Sequence, residues 1–186
     1  MNTLSRRRNV LGLLTGAIIL IIFSMQANAK TAKTQENQSI NTASQGITDH
    51  AAIINAVNGI AIFADLRDWD RCRQSFSDRI EFDYTSLTGG TPTVMAADQQ
   101  MQQWSNFFKS TFKSTQHIIG SHVVTIKGDA ATCVSNFQAH HTYLDSQKGI
   151  WILSGVYNHN LNRVGNAWKV NKMKMSIVWE TGNRPG

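Results

Sequence analysis

The side chains in this sequence that can move a proton are one aspartate, one tyrosine and a group of histidines. Asp65 follows Ala61 and Ala64 on the apolar side of a predicted helix. A buried carboxylate is costly unless it is paired or hydrogen-bonded. Histidine is a natural partner, because an ionised aspartate on one ring nitrogen fixes the tautomer and raises the basicity of the other nitrogen. We therefore expect Asp65 to form, with one of the histidines, a pair that takes and returns a proton.

Strand alternation decides which other histidines can join this pair, because successive side chains on a strand face opposite sides. His140 and His141 are adjacent, so only one of them can face inward. His117 and His122 are separated by an odd number of residues, so in a regular strand they also face opposite ways. We predict that His117 and His140 face inward. His122 and His141 are then expected at the surface or at an interface.

A tyrosine in the first predicted strand is a candidate hydrogen-bond donor. Tyr84 could stabilise the oxygen of a developing enolate.

Purely structural roles remain open for Asp65, His117 and Tyr84. Asp65 could bind a backbone amide or Arg67, and His117 could be a core histidine whose partner only stabilises the fold. Tyr84 could equally be a packing residue with a satisfied hydroxyl.

The elements that must position these residues follow from caps, apolar spacing and turns. Helical spacing after Thr48 and Asp49 predicts a first helix over residues 49–66, and Asp68 caps a short second helix. A strand over residues 80–87, a third helix over 96–112 and four further strands complete the order. Turns are predicted at Gly128-Asp129 and Gly165-Asn166. Helices first and antiparallel strands later indicate an α+β domain with the sheet curled around the helices.

The first 29 residues have the layout of an export signal. A basic cluster at residues 6–8 precedes an apolar run over residues 10–23, and Ala27-Asn28-Ala29 is a small-residue cleavage site. The run is shorter than the roughly 20 residues that span a bilayer, so no stable membrane anchor is expected after cleavage. SRRRNVLG is also similar to a twin-arginine signal, and general secretion stays open. The polar residues 30–46 are expected to be a disordered linker.

Charge and cysteine content bear on whether the protein binds nucleic acid, forms a disulfide or binds a metal ion. Loss of the three arginines with the leader lowers the formal net charge from +6 to +3. The remaining basic residues are scattered, which argues against a nucleic-acid partner. Cys72 and Cys133 could form a disulfide in an exported protein or be two buried free thiols. The sequence has no CxxC or HExxH spacing, so no metal site is predicted.

Six short motifs resemble, in order and spacing, the SnoaL-like branch of the NTF2-like superfamily, and within it the scytalone dehydratases. They are DWDRC, FDYTSL, TQHIIG, AHHTY, GVYNHNL and AWKV. The similarity covers residues 47–181, with residues 182–186 left as a C-terminal tail. The resemblance implies a cone: a strongly curved mixed sheet wrapped around three helices and enclosing a pocket. It also implies a homo-oligomer, a dimer or a trimer. Members of the superfamily include enzymes and binding proteins, so the fold alone does not give the function.

The resemblance assigns roles to individual residues. It implies that His117 is the acid and base, that Asp65 holds it, and that His140 assists, with His141 as the alternate. Tyr84 is implied to position a water or a substrate carbonyl. The polar pair late in the GVYNHNL motif is matched by Asn158 and Asn160, or by a register shifted by one residue, and this pair is implied to bind the substrate. The sequence departs from the pattern at Ala64, where the family enzyme has a second tyrosine.

Large apolar side chains are candidates for the pocket wall. Trp104 and Met175 are assigned to substrate binding, although Trp104 could be a plain core residue. Met173, Trp151 and Trp179 are expected either in the pocket or at an oligomer interface.

These observations lead to one hypothesis and two alternatives. The chain is predicted to be a cofactor-free lyase or isomerase, dehydratase-like, acting on a small, largely apolar carbonyl or hydroxyl compound. Catalytic roles go to Asp65, His117, His140 and Tyr84. The main alternative is an exported protein that binds a small apolar ligand without turnover. A purely structural or assembly role is the third possibility.

Overall fold

The computed structural model describes the backbone of residues 4–185 and the side chains of residues 25, 26 and 28–185. It divides into two compact units, the first through Ile47 and the second from Thr48 onward. Residues 1–3 and the side chains before Met25 lie outside the described part. The export signal expected over residues 1–29 therefore stays a prediction.

Helix α1 (Leu4–Asp65) is longer than the sequence predicts. Residues 30–46, which composition assigns to a disordered linker, are exposed turns of this helix. Their sequence contains no proline, and the hydroxyls of Thr34 and Thr42 donate hydrogen bonds to carbonyls one turn earlier. The described stretch Asn28–Asp65 contains an 18-residue window with a mean hydropathy of 1.3, which is long and apolar enough to cross a membrane. Its buried positions, among them Ile53 and Val57, belong to the hydrophobic core of the second unit, so the same composition is that of a core helix.

Three shorter helices follow in the second unit. Asp68 caps α2 (Trp69–Gln74) by accepting the backbone N–H of Arg71 at 3.0 Å, as the sequence predicts. A single helical turn, α3 (Thr85–Thr88), follows the first strand, and α4 (Ala97–Thr111) matches the predicted third helix. A 3-10 turn (Ser146–Lys148) lies in the loop before the fifth strand.

Six strands form one sheet in the order β2-β1-β6-β5-β4-β3. Only β1 and β6 pair in parallel; the other pairs are antiparallel. The two turns predicted from Gly128-Asp129 and Gly165-Asn166 connect β3 to β4 and β5 to β6. The strands are β1 (Phe76–Asp83), β2 (Thr93–Ala96), β3 (Phe112–Lys127), β4 (Ala130–Tyr143), β5 (Ile150–Val164) and β6 (Ala167–Gly182).

The sheet curves around the helices, which confirms the predicted α+β architecture. Register shifts interrupt β3 between Gly120 and Val123 and the β5–β6 pair at Ser154 and Gly155. Such bulges bend a strand and increase its twist. The inner face carries the core, to which α1 contributes Ile53, Val57 and Ile60.

The element boundaries differ from the predictions in three places. β1 ends at Asp83, so Tyr84 caps α3 instead of lying within a strand. Phe76, expected as the last residue of a short helix over residues 68–76, opens β1 instead. The residue types Gly89-Gly90 and Pro92 predict a loop, and the short strand β2, which begins directly after them and pairs with β1, was not expected.

Cys72 on α2 and Cys133 on β4 are both buried and both free. This agrees with the second of the two alternatives that the sequence leaves open. Burial raises the pKa of Cys72 to about 12 and that of Cys133 to about 11, so both remain protonated thiols. They act as small apolar side chains of the core.

Gly155 of β5 lies directly against the backbone of β6. A methyl group on its α-carbon would lie 2.0 Å from the backbone oxygen of Ser176, an approach that backbone atoms cannot relieve locally. The absence of a side chain at this position is therefore a condition for the bend of the sheet.

We expect Gly155→Ala to lower the free energy of unfolding by about 3 kcal/mol, because the added methyl group forces the two backbones apart. Gly120→Ala is the matched control: it lies at the other bulge, and nothing lies within 4 Å of its added carbon. That substitution should change stability by less than about 0.5 kcal/mol. Urea denaturation measures both, and equal effects of the two substitutions would contradict this role of Gly155.

Candidate functional site

A cavity of about 560 Å³ opens between the helices and the inner face of the sheet. Its wall is mostly apolar and includes side chains from α1, α4 and four strands. Arg184 and Pro185, just after β6, also contribute to the wall. The titratable side chains in the wall are Tyr84, His117, His141, Tyr157, His159 and Arg184.

Asp65 and His117 meet at the wall of this cavity. Nδ1 of His117 lies 2.7 Å from Oδ1 of Asp65, and the backbone N–H of His117 donates to Oδ2 at 2.6 Å. The hydroxyl of Thr115 donates to Oδ1 at 2.8 Å. Asp65 itself lies behind the ring and is not part of the wall. The backbone-amide contact considered for Asp65 is thus present together with the histidine contact.

Arg67 supports this arrangement without contacting the carboxylate. Its backbone has a φ of 59°, which turns the chain sharply after the end of α1. Its guanidinium donates to the carbonyl of Ala64 and to the hydroxyl of Thr115, each at 2.8 Å. Since that hydroxyl in turn donates to Asp65, Arg67 fixes the orientation of one of the donors that hold the carboxylate.

The charge state of Asp65 follows from competing effects. Burial raises the pKa of its carboxyl, but hydrogen bonds and charge attraction from His117, with the hydrogen bond from Thr115, outweigh burial and lower it overall. Asp65 is therefore ionised at neutral pH and can only accept. Nδ1 of His117 must then carry the proton, which leaves Nε2, on the ring edge away from Asp65, with a free lone pair.

The second histidine in the cavity is His141, not His140. His141 is buried in the wall, whereas His140 lies on the other face of β4. The prediction for this pair was therefore the wrong way round. The flanking Ala139 and Tyr143 are buried, and they share the parity of His141 on the strand.

His141 is a neutral neighbour of His117. Its Nδ1 lies 3.2 Å from the carbonyl oxygen of Trp151, which can only accept, so Nδ1 carries the proton. The two imidazole centroids are 5.5 Å apart. Burial, and then the charge of His117, lower the pKa of His141 to about 4. At neutral pH its Nε2 is therefore a hydrogen-bond acceptor.

Two tyrosines line the wall of the cavity. One is the sequence candidate Tyr84, whose hydroxyl donates a hydrogen bond to the sulfur of Met173 at 3.6 Å. Tyr157 was missed. Burial raises the pKa of both phenols, so both keep their protons and can donate. The tyrosine that is absent at Ala64 thus has a possible substitute from β5.

Asn158 and Asn160, predicted to bind substrate, are exposed on the outer face of β5. The inward residues are their neighbours Tyr157 and His159. The signal was present in the sequence, because the apolar Leu153 and Leu161 mark the odd-numbered positions as the inner face. The motif match was displaced by one residue, and a shift of one residue reverses every side chain on a strand.

His122 does not face away from His117. The bulge after Gly120, with Ser121 at a φ of 55°, adds a residue to β3 and reverses the alternation. His122 therefore contacts α1, where its Nε2 lies 2.9 Å from Oδ1 of Asn58. It lies outside the cavity wall, but it is half-buried against α1, so the expected surface or interface position was wrong.

Of the five large apolar side chains considered for the pocket wall, four line the cavity and one lies at the surface. Trp104, Met175, Met173 and Trp151 all line the cavity. Trp179 is 43% exposed and does not. Within the described residues, no group of three or more His, Cys, Asp or Glu side chains is arranged to hold a metal ion.

The chain is similar to one sequence family and to several solved structures. The family model described as a SnoaL-like domain matches residues 45–174. None of the curated proteins matches the chain. The Kfla4162 protein from Kribbella flavida is 27% identical, with a TM-score of 0.70, over 73% of this chain and 95% of that one.

Two further structures share the fold at lower identity. A provisionally assigned scytalone dehydratase from Novosphingobium aromaticivorans is 17% identical, with a TM-score of 0.67, over 77% of this chain and 93% of its own. Hexachlorocyclohexane dehydrochlorinase LinA-type3 from Novosphingobium barchaimii is 14% identical, with a TM-score of 0.63, over 74% and 91%. At these identities the likeness establishes the fold alone.

The low pKa of His141 predicts a pH-dependent stability. Between pH 6.5 and 4 the unfolded chain binds a proton at this ring that the folded chain does not, so stability falls as the pH falls through this range. At pH 5 the free energy of unfolding is about 2 kcal/mol lower than at pH 7 because of this ring. We expect His141→Phe to reduce the loss of stability between pH 7 and pH 5 by that amount, measured by urea denaturation. His140→Phe, on the outer face, should retain the loss seen in the parent protein. An unchanged pH dependence in His141→Phe would contradict the assignment.

Proposed function

We propose that this chain, which belongs to the SnoaL-like family of the NTF2-like fold, is a lyase or isomerase that moves protons on a small, largely apolar carbonyl or hydroxyl compound. The observation that carries the proposal is the hydrogen bond between Asp65 and His117 at the cavity wall. Two proteins of the same fold have names that describe eliminations, a dehydratase and a dehydrochlorinase. Those names support the reaction class for this chain and do not identify its substrate.

The proposed reaction begins with proton removal by His117. Nε2 takes a proton from the carbon next to a carbonyl group, and the C–H electron pair passes to the carbonyl oxygen to form an enolate. The ionised Asp65 stabilises the imidazolium that results. The ring does not need to reorient, because its other nitrogen is already held at 2.7 Å.

Tyr84 and Tyr157 are the proposed donors to the enolate oxygen. The hydroxyl of Tyr84 holds only a thioether sulfur, which is a weak acceptor that a substrate oxygen would replace. Donors of this kind act where negative charge develops, in a site with little water. Burial keeps both phenols protonated, so they donate hydrogen bonds and do not act as bases.

The second half of the elimination returns the proton. The enolate electrons reform the carbonyl group and a carbon–carbon double bond forms, while the bond to the hydroxyl group on the next carbon breaks. The His117 imidazolium donates its proton to that oxygen, so water leaves and the base is regenerated. His141 assists by accepting a hydrogen bond at Nε2 from the substrate hydroxyl or from the released water. An isomerase would instead return the proton to a different carbon.

The character of the cavity supports an apolar substrate. Trp104, Leu153 and Met175 are typical of its wall, and its volume is in the range of small-molecule sites. Ala64, where the family enzyme has a tyrosine, favours a second candidate function, binding of the same class of compound without turnover. The two candidates differ only in whether His117 transfers a proton.

We also propose that the protein is exported and that it forms a homo-oligomer. The basic and apolar leader over residues 1–29 supports an exported location, by the twin-arginine or the general route. Exposed apolar side chains on β3 and β6, among them Ile118, Val123 and Val178, support a homo-oligomer, a dimer or a trimer.

Turnover of β-hydroxy ketones tests the function. We expect a panel of aryl β-hydroxy ketones to include compounds that the protein dehydrates, measured by the absorbance of the conjugated enone. His117→Ala should lower kcat by ~10²–10⁴ because the acid and base are lost. His140→Ala, on the outer face of β4, should leave kcat unchanged. Equal turnover by parent protein and His117→Ala would remove His117 from the mechanism, and ligand binding without turnover would leave the binding function.

Tyr157 should matter for the chemical step. We expect Tyr157→Phe to lower kcat by about 10², because one donor to the enolate oxygen is lost while the ring packing remains. Tyr143→Phe is the matched control, since the hydroxyl of Tyr143 donates to the backbone of Asn183 and lies outside the cavity wall. A change confined to KM would show that Tyr157 only binds the substrate.

A further inference from the structure

His159 is a buried histidine that the proposed mechanism does not use. It lies on β5, exposes 1% of its surface and forms part of the cavity wall. Neither of its ring nitrogens has a hydrogen-bond partner among the described residues. Its directly opposite neighbours are Cys133 on β4 and Met173 on β6, whose sulfur atoms offer only weak hydrogen bonds.

An unpartnered imidazole at this position is costly. A buried polar group without a partner destabilises the folded state, whereas an aliphatic or aromatic residue would fill the same space without that penalty. Burial also lowers the pKa of His159 to about 4; the nearby backbone of Cys133 opposes this effect in part, and the charge of His122 adds a smaller lowering effect. The ring is therefore neutral at neutral pH and offers one N–H donor and one acceptor.

The position of His159 separates it from the Asp65–His117 pair. Along β4, His117 is opposite Ala139 and His159 is opposite Cys133, six residues further on. Six residues of strand correspond to about 20 Å along β4. A group bound at His159 therefore belongs to a part of the ligand other than the reacting carbon.

We propose that His159 is a second binding point of this cavity, which holds a neutral hydroxyl or carbonyl group at the end of the ligand remote from His117. The inference rests on the proposed function of the same cavity and adds a substrate class: apolar compounds with polar groups at two separated positions. A hydroxyl fits best, because it can donate to one imidazole tautomer and accept from the other. A carboxylate fits poorly, because the neutral ring does not balance its charge.

A structural water is the competing interpretation. The hydroxyl of Ser135 is also buried without a partner, and it lies diagonally across the β4–β5 pair from His159. A water held between Ser135 and His159 would satisfy both groups. In that case His159 stabilises the empty protein, and its replacement by an apolar ring destabilises it.

Thermal unfolding separates the two interpretations without any ligand. If the ring nitrogens of His159 have no partner until a ligand binds, His159→Phe should raise the Tm of the ligand-free protein by about 2–4 °C, because this substitution removes the unpartnered nitrogens. A fall in Tm would indicate the structural water and overturn the proposal.

Equilibrium binding then tests the recognised group. The probes are 4-phenylphenol and 4-methylbiphenyl, which differ by a hydroxyl in place of a methyl group, with the fluorescence of Trp104 and Trp151 as the signal. We expect the parent protein to bind the phenol about tenfold more tightly, which corresponds to about 1.4 kcal/mol. His159→Phe should abolish the preference, whereas His159→Gln, which retains a donor and an acceptor, should keep most of it.

His117→Ala locates the hydroxyl in the same experiment. The preference for 4-phenylphenol should survive this substitution, because the proposed contact is at the other end of the cavity. A preference that is absent in the parent protein, unchanged in His159→Phe or lost in His117→Ala overturns the proposal, as does failure to bind either probe. Neither probe can lose water, so the result does not depend on turnover, and a failure of the proposed reaction would be seen separately in the β-hydroxy ketone assay.

Discussion

The hydrogen bonds between Asp65 and His117 are the interaction on which the rest of the site depends. They join the end of α1 to β3, across 52 residues of sequence, and use both the ring and the backbone of the histidine. A carboxylate at this depth remains ionised only because several donors surround it, including the hydroxyl of Thr115. The same contacts fix the imidazole tautomer, so the helix end and the strand together prepare one free nitrogen facing the cavity.

The curvature of the sheet makes the space in which that nitrogen can act. Gly155 permits the close approach of β5 and β6, and the bulge after Gly120 turns the second half of β3 toward α1. Because the strands curve, inward side chains from β3, β4, β5 and β6 line one cavity with Trp104 of α4. Polar groups are few within it, so each of them has a strong influence on which ligand fits.

The sequence predicted the architecture better than the orientation of individual side chains. Apolar periodicity, caps and Gly-containing turns define the helices and hairpins. The cost of burying a carboxylate predicts a histidine partner for Asp65, and the motif resemblance identifies that partner as His117. The errors in the placement of the site residues all concern strand faces. His140 and His141 have the same type, so local sequence could not rank them. The bulge that turns the side chain of His122 to the inner face depends on the positive φ of Ser121. Serine is not a residue type that predicts a positive φ, so the sequence does not indicate this bulge. The neighbouring leucines predict that Tyr157 faces inward, whereas the motif match placed Asn158 and Asn160 on that face.

The central claim is that Asp65 holds His117 in the tautomer that leaves Nε2 free to act as a base. Nitrogen NMR of the protein with ¹⁵N-labelled histidine measures this directly at neutral pH. The His117 ring should carry its proton on Nδ1, with Nε2 unprotonated, and the Asp65→Ala variant should lose that preference. A ring protonated on Nε2, or a tautomer that is the same with and without Asp65, would contradict the claim.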